Sequence, residues 1–357
     1  MTNDIAVRVH KDSVVQDSIY GKRVRGLDVF LTVIIYTCAG FSILLLAGIM
    51  GYVFVRGIPH VTWAFLSTAS SATKGTFGIL GNIINTLYML ISGTPALFKV
   101  GLLEILFGTV WQPAAASPSF GILFVILTSI VGTFLAILIG VPIGVMTAIF
   151  LAEVAPKRLS DMVRPAVELL AGIPSVIYGL LGILILNPLM YKMELMLFKG
   201  SETHQFTGGA NLISAVLVLA LMILPTVINI SESALRSVPA HLKSASLALG
   251  ATKIQTIFQV IVPAAKSGII TAVVLGTGRA IGEAMAISLV SGSSVNLPLP
   301  FSSVRFLTTA IVSEMGYASG LHRQVLFTIG LVLFAFIMII NISLTRILKR
   351  GGNRNDK

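Results

Sequence analysis

Residues 267–290 read SGIITAVVLGTGRAIGEAMAISLV, an apolar stretch in which only Arg279 and Glu283 carry charge. A bilayer-spanning helix needs about 20 predominantly apolar residues, so the stretch predicts a transmembrane α-helix. Charge at membrane depth is costly unless it faces a protein interior or a water-filled path. On one continuous helix, residues 279 and 283 share a face and opposite charges there can pair.

The rest of the chain has the same character. Of its 357 residues, 55% are hydrophobic and 11% charged, with a mean hydropathy of +0.94. A soluble domain carries about a quarter charged residues, so the fold class is all-α, polytopic and transmembrane. The single cysteine, Cys38, excludes a disulfide within the chain. The net charge of +11 is explained by basic residues held on the cytoplasmic side of a membrane, and nucleic acid is not expected as a partner. The N-terminal 26 residues are polar, and the apolar run after them is too long for a signal-peptide core. It reads as an uncleaved first span.

Six segments read as spans: 28–55, 120–151, 166–190, 211–231, 267–290 and 325–347. Pro142, Pro174 and Pro225 interrupt three of them, a feature either of simple kinks or of helices beside a pathway. A further apolar stretch, 77–98, contains Asn82, Asn85 and Pro95 and runs into Lys99. With six spans and both ends inside, 17 of the 25 Lys and Arg lie on the cytoplasmic side and seven outside, with Arg279 in the membrane. That asymmetry follows the positive-inside rule. The rival is seven spans with the N-terminus outside. The expected divisions are a cytoplasmic tail (1–26), a first span with an outer segment (27–118), a transmembrane core (119–350) with an inner loop at 232–266, and a tail (351–357).

The inner loop contains SVPAHLKSASLALGATKIQTIFQVIVPAAKSG. Pro239 is placed to start a helix and Gly250 to end it, with a second short helix from Lys253 to Val260 stopping near Pro263. The product is a small amphipathic helix–turn–helix knob. Residue chemistry alone allows docking into a groove on a partner or lying on lipid headgroups.

Residues 245–251 (ASLALGA), followed by Pro263, resemble the coupling loop of binding-protein-dependent ABC importers. The resemblance implies that Ser244, Ala245, Leu249, Gly250, Ala251 and Pro263 belong to a loop that enters a cleft of the ATPase subunit. The family pattern has glutamate where this chain has Ser244, and leucine where it has Val262; the missing glutamate removes one expected polar contact. Residues 168–182 (ELLAGIPSVIYGLLG), 276–286 (GTGRAIGEAMA), 314–323 (EMGYASGLHR) and 107–113 (FGTVWQP) resemble the C-type permease subunit of the bacterial phosphate importer, from about residue 93 to 350. Residues 56–60 (RGIPH) and 78–88 (GILGNIINTLY) are instead similar to the A-type subunit, giving an A-type head on a C-type body.

The implied function is a permease subunit moving inorganic phosphate across the cytoplasmic membrane of a bacterium. Its implied partners are ABC ATPase subunits, an A-type permease and an extracytoplasmic phosphate-binding protein. The alternatives are another oxyanion or solute, or a non-transporting regulatory membrane component. No enzyme activity and no cofactor are expected: the five histidines have no metal-ligand spacing, and no GxxxxGK[ST] phosphate loop exists. Gly278 and Gly282 are expected to form a small-residue face for close helix packing. Arg279 and Glu283 have two readings. In one, Arg279 meets an oxyanion in the pathway through its planar fork of donors, with Glu283 as counter-ion. In the other, the two form a structural ion pair. The segment 291–324, with Arg305, Glu314, His322 and Arg323, is expected to face outward and receive the binding protein.

Overall fold

The computed structural model describes residues 26–57, 102–115, 118–201 and 204–352. The stretch 77–98, the A-type-like segment beyond residue 57, His10 and His60 lie outside them. Helix α1 (Gly26–Gly57) forms a unit separate from the rest. It is apolar on every face, as a lipid-facing span requires, and its hydroxyls stay inside the helix: Thr37 Oγ1 donates to Val33 O at 2.7 Å and Ser42 Oγ to Cys38 O at 2.9 Å.

The second unit opens with α2 (Leu102–Phe107) and a two-residue hairpin, β1 (Trp111–Gln112) antiparallel to β2 (Ser119–Phe120). Helix α3 (Leu123–Ile149) ends in a π-helical turn, Phe150–Val154. Then come α4 (Lys157–Gly172) and a span built from α5 (Ser175–Leu181), the π-turn Gly182–Leu186 and α6 (Asn187–Leu197). Helix α7 (Leu212–Arg236) is followed by α8 (Ala240–Ala248) and by α9 (Lys253–Thr256), whose path continues through the π-turn Ile257–Ile261 into α10 (Val262–Ala264). Helices α11 (Lys266–Gly282), α12 (Met285–Val290), α13 (Leu307–Glu314) and α14 (Gly320–Gly352) complete the chain.

Among the described residues, five helical stretches are long and apolar enough to cross a membrane: 32–55, 123–154, 175–197, 212–236 and 320–343. The bent pair Lys253–Ala264 and Lys266–Gly282, at 68°, makes a sixth if taken as one span. This is a multi-pass membrane fold.

Two expected spans have different limits. The segment 166–190 divides at Pro174, where Ile173 and Pro174 are extended (ψ 127 and 140), because proline pushes the residue before it out of the α region. Its first half belongs to α4, an amphipathic helix that buries Ser160 and Val167 and exposes Met162 and Leu169. The membrane stretch proper is 175–197. The segment 267–290 is not one helix either: α11 stops at Gly282 and α12 restarts at Met285.

Helix α7 is the centre of the bundle, with Leu219, Ile223 and Val227 wholly buried. It is approached through glycines on both sides. A Cβ at Gly140 of α3 would come within 2.6 Å of the Ile223 side chain, one at Gly144 within 2.8 Å of Val227, and one at Gly276 of α11 within 3.0 Å of Val227. Small residues let membrane helices approach closely and gain dispersion contacts that lipid does not supply as well. Before α7, Gly209 has φ +84 and no room for a side chain: a Cβ would sit 1.8 Å from the Asn187 carbonyl oxygen. Gly209→Ala is expected to destabilise the protein by at least about 2 kcal/mol through combined strain and overlap, read as a lower melting temperature of detergent-purified protein beside a Gly278→Ala control.

Candidate functional site

Gly276 seats α11 against Val227, and the next turn of α11 carries Arg279 to the neighbouring Thr226. Arg279 Nη1 donates to Thr226 Oγ1 at 3.3 Å, beside Pro225, which lacks the N–H that would close the helical ladder of α7 there. Arg279 is half-buried and lies in the last turn of α11, where the C-terminal carbonyls favour a cation. Tyr178 of α5 is buried and within electrostatic range of Arg279; its hydroxyl donates to Leu170 O at 2.6 Å.

The expected pairing of Arg279 with Glu283 is not made. No ion pair among the described residues includes either side chain. The physical reason is the helix break. Glu283 has extended backbone (φ −72, ψ 132), so the two residues are no longer one turn apart on a common face. Its Oε1 instead accepts from the Ala286 N–H at 3.0 Å, and its backbone oxygen accepts from Thr308 Oγ1 at 2.6 Å. Glu283 thus serves the start of α12 and ties the break to α13. The small-residue face has no partner within the described residues of this chain: a Cβ at Gly278 or Gly282 would meet nothing within 4 Å. The close approach inside the chain is made by Gly276, on the other side of the helix.

The loop after α7 folds as a projecting knob. Pro239 precedes α8, and Gly250 ends it with φ +86, a conformation that favours glycine. The second arm begins with a capping box, Thr252 Oγ1 accepting from the Gln255 N–H at 3.3 Å and Gln255 Oε1 from the Thr252 N–H at 2.8 Å. Ser246 and Thr256 hydroxyls join the two arms at 2.9 Å. At the tip Leu249 is 89% exposed and Ile254 70%; Ala245, Ala251 and Pro263 lie along the same knob. Ser244 Oγ donates back to the His241 carbonyl at 3.1 Å. The knob does not run straight into α11 as one rigid rod, because the chain bends by 68° at Ala265.

At the other end of the bundle, FGTVWQP and EMGYASGLHR meet. Trp111 Nε1 donates to both oxygens of buried Glu314 at 3.0 and 3.1 Å, His322 Nε2 lies 2.7 Å from Glu314 Oε2, and Arg305 pairs with the same carboxylate. Sequence reading noted Glu314, Arg305 and His322 but not their convergence, since Trp111 lies 203 residues from Glu314. It missed Tyr178 and Glu232 as polar anchors. A carboxylate directly after the apolar run 211–231 was the available signal for Glu232.

Comparisons with known proteins give the family. Residues 140–351 match the pattern of the binding-protein-dependent transport system inner membrane component. The chain belongs to that family. It is 39% identical over 271 residues to a probable ABC transporter permease protein, YqgH of Bacillus subtilis, covering 73% of this chain and 84% of the relative. It is 37% identical over 248 residues to the phosphate transport system permease protein PstC of Pasteurella multocida, covering 67% and 77%. A solved bacterial ABC transporter involved in alginate import shares the fold at a TM-score of 0.50 and 17% identity, over 74% of this chain and 95% of that one. The permease is therefore PstC-like through most of its length, and it is a transport component.

Because Glu283 holds no arginine in the permease, Glu283→Gln is expected to keep its cap and change stability by less than about 1 kcal/mol, against about 3–5 kcal/mol for breaking a buried ion pair. Thermal unfolding of the purified permease, beside Arg279→Gln, checks this.

Proposed function

We propose that this chain is the permease subunit through which a bacterial ABC importer moves inorganic phosphate into the cell. The observation that carries the reading is Arg279. It is a guanidinium at membrane depth, held by one hydroxyl, with no carboxylate bound to it among the described residues. A guanidinium has five N–H donors, so most of its capacity is open to a tetrahedral oxyanion. Without a bound counter-ion, its charge is better suited to an anion passing through the pathway than to a structural pair. The likeness to PstC proteins supports phosphate as that anion.

The remaining parts follow from this. The knob at 237–265 is the coupling loop, with Leu249, Gly250 and Ala251 entering a cleft of the ATPase subunit, which hydrolyses ATP in place of this chain. An apolar tip so exposed gains about 25 cal/mol for every Å² that docking buries. The open face at Gly278 and Gly282 is offered to the A-type permease, and the segment 291–324 to the extracytoplasmic phosphate-binding protein. The termini then lie in the cytoplasm.

Arg279→Lys keeps the charge but loses the fork of donors. In cells lacking their own C-type subunit, it is expected to lower phosphate uptake at least about tenfold, the loss of one charge-assisted hydrogen bond. Uptake equal to the wild type, with normal membrane levels, would sink the anion-contact role. Leu249→Glu is expected to abolish co-purification of the ATPase subunit while the variant still reaches the membrane; retention of the ATPase would remove the coupling role from this tip.

A further inference from the structure

The knob is tied to the bundle by more than its own chain, through Lys243 of α8 and Glu153, and one buried carboxylate ties α4 to the end of α7. Glu232, 4% exposed, lies in the last turns of α7. Its Oε1 accepts from Arg164 Nη2 of α4 at 2.6 Å and from Arg236 Nε at 2.8 Å. Arg236 Nη2 in turn donates to Leu151 O at 3.0 Å and to Ser160 Oγ at 3.1 Å. Lys243 of α8 pairs with Glu153 Oε2 at 2.5 Å. The knob, the end of α3, the start of α4 and the end of α7 are thereby joined by charge-assisted bonds, with the cluster of Ala148, Ile149, Leu235, Ile257 and Ile261 packed beneath.

Helix α4 does not stop at this network. Its far end supplies Leu170 O, the acceptor of the Tyr178 hydroxyl, and Tyr178 is within electrostatic range of Arg279. We propose that Glu232 is a positioning residue that makes α4 a second arm, carrying movement of the coupling loop to the Tyr178–Arg279 site independently of α11. Three observations favour an arm over a passive brace. The direct route through α11 is bent by 68° at Ala265, so it transmits axial force poorly. A cavity of about 320 Å³ beside Arg164, Glu168, Asn229, Glu232, Ser233 and Arg236 leaves the arginines room to change position. Both guanidiniums share a single oxygen of Glu232, so rotation of that carboxylate disturbs the α4–α7 tie and the Arg236 contact together. Coupling between sites needs an element with two arrangements that both ends bias, and this network has the space and the shared pivot for one.

The inference rests on the importer reading, and the test separates the two. Spin labels are placed at exposed positions 169 on α4 and 221 on α7 in a Cys38→Ser background of the full transporter. Their separation is measured with and without ATP and vanadate, alongside phosphate moved per ATP hydrolysed in proteoliposomes. The wild type is expected to show an ATP-dependent change in separation. Glu232→Gln is expected to abolish that change and to lower phosphate per ATP at least about tenfold while ATP hydrolysis continues, and Arg164→Lys to retain both. An unchanged label shift or transport ratio in Glu232→Gln overturns the arm, as does a wild type that hydrolyses ATP without any shift. A wild type that shows the shift yet moves no phosphate overturns the substrate reading and leaves the arm supported.

Discussion

The bundle depends on how closely α7 is approached by its two neighbours. Lipid is as apolar as leucine, so helices in a membrane gain little from hydrophobic burial and must gain from close contact. Gly140 and Gly144 on one side and Gly276 on the other allow that contact against Ile223 and Val227. The consequence reaches beyond packing. Seating Gly276 on Val227 fixes the rotation of α11, and that rotation puts Arg279 against Thr226 rather than toward lipid.

The break after Gly282 is the second constraint. A continuous helix would have paired Arg279 with Glu283, and a paired arginine has little left to offer an anion. By ending α11 there, the fold sends Glu283 to the backbone of α12 and leaves the arginine with helix-end carbonyls for electrostatic support. Broken helices are tolerated in membranes only where protein or water satisfies the freed groups, and Thr308 Oγ1 does so at the Glu283 carbonyl. The same logic applies at Pro174, where the chain turns between an amphipathic helix and a span.

The two ends of the bundle use buried carboxylates in one way. Glu314 gathers Trp111, Arg305 and His322 at one end, and Glu232 gathers Arg164 and Arg236 at the other. Each carboxylate is deeply buried, and each joins segments far apart in sequence. Buried charge is retained only when its partners satisfy it, and in each cluster at least one of those partners comes from another segment of the chain.

Much of this was legible in the residues. Apolar runs of spanning length, a proline before α8, a glycine after it and a charge at membrane depth are local signals, and each acts within a few residues of itself. The family likeness of ASLALGA and GTGRAIGEAMA was legible for the same reason. What the sequence could not decide was which partners the charges would take. Spacing of four residues implied a pair, but the helix ends between them; two glycines four residues apart implied a packing face, but inside the chain the close contact is made by Gly276. Both outcomes follow from the long-range fit of α11 against α7 and α13. Only the folded chain brings residues 226, 279 and 308 together, so only the tertiary structure could free Arg279.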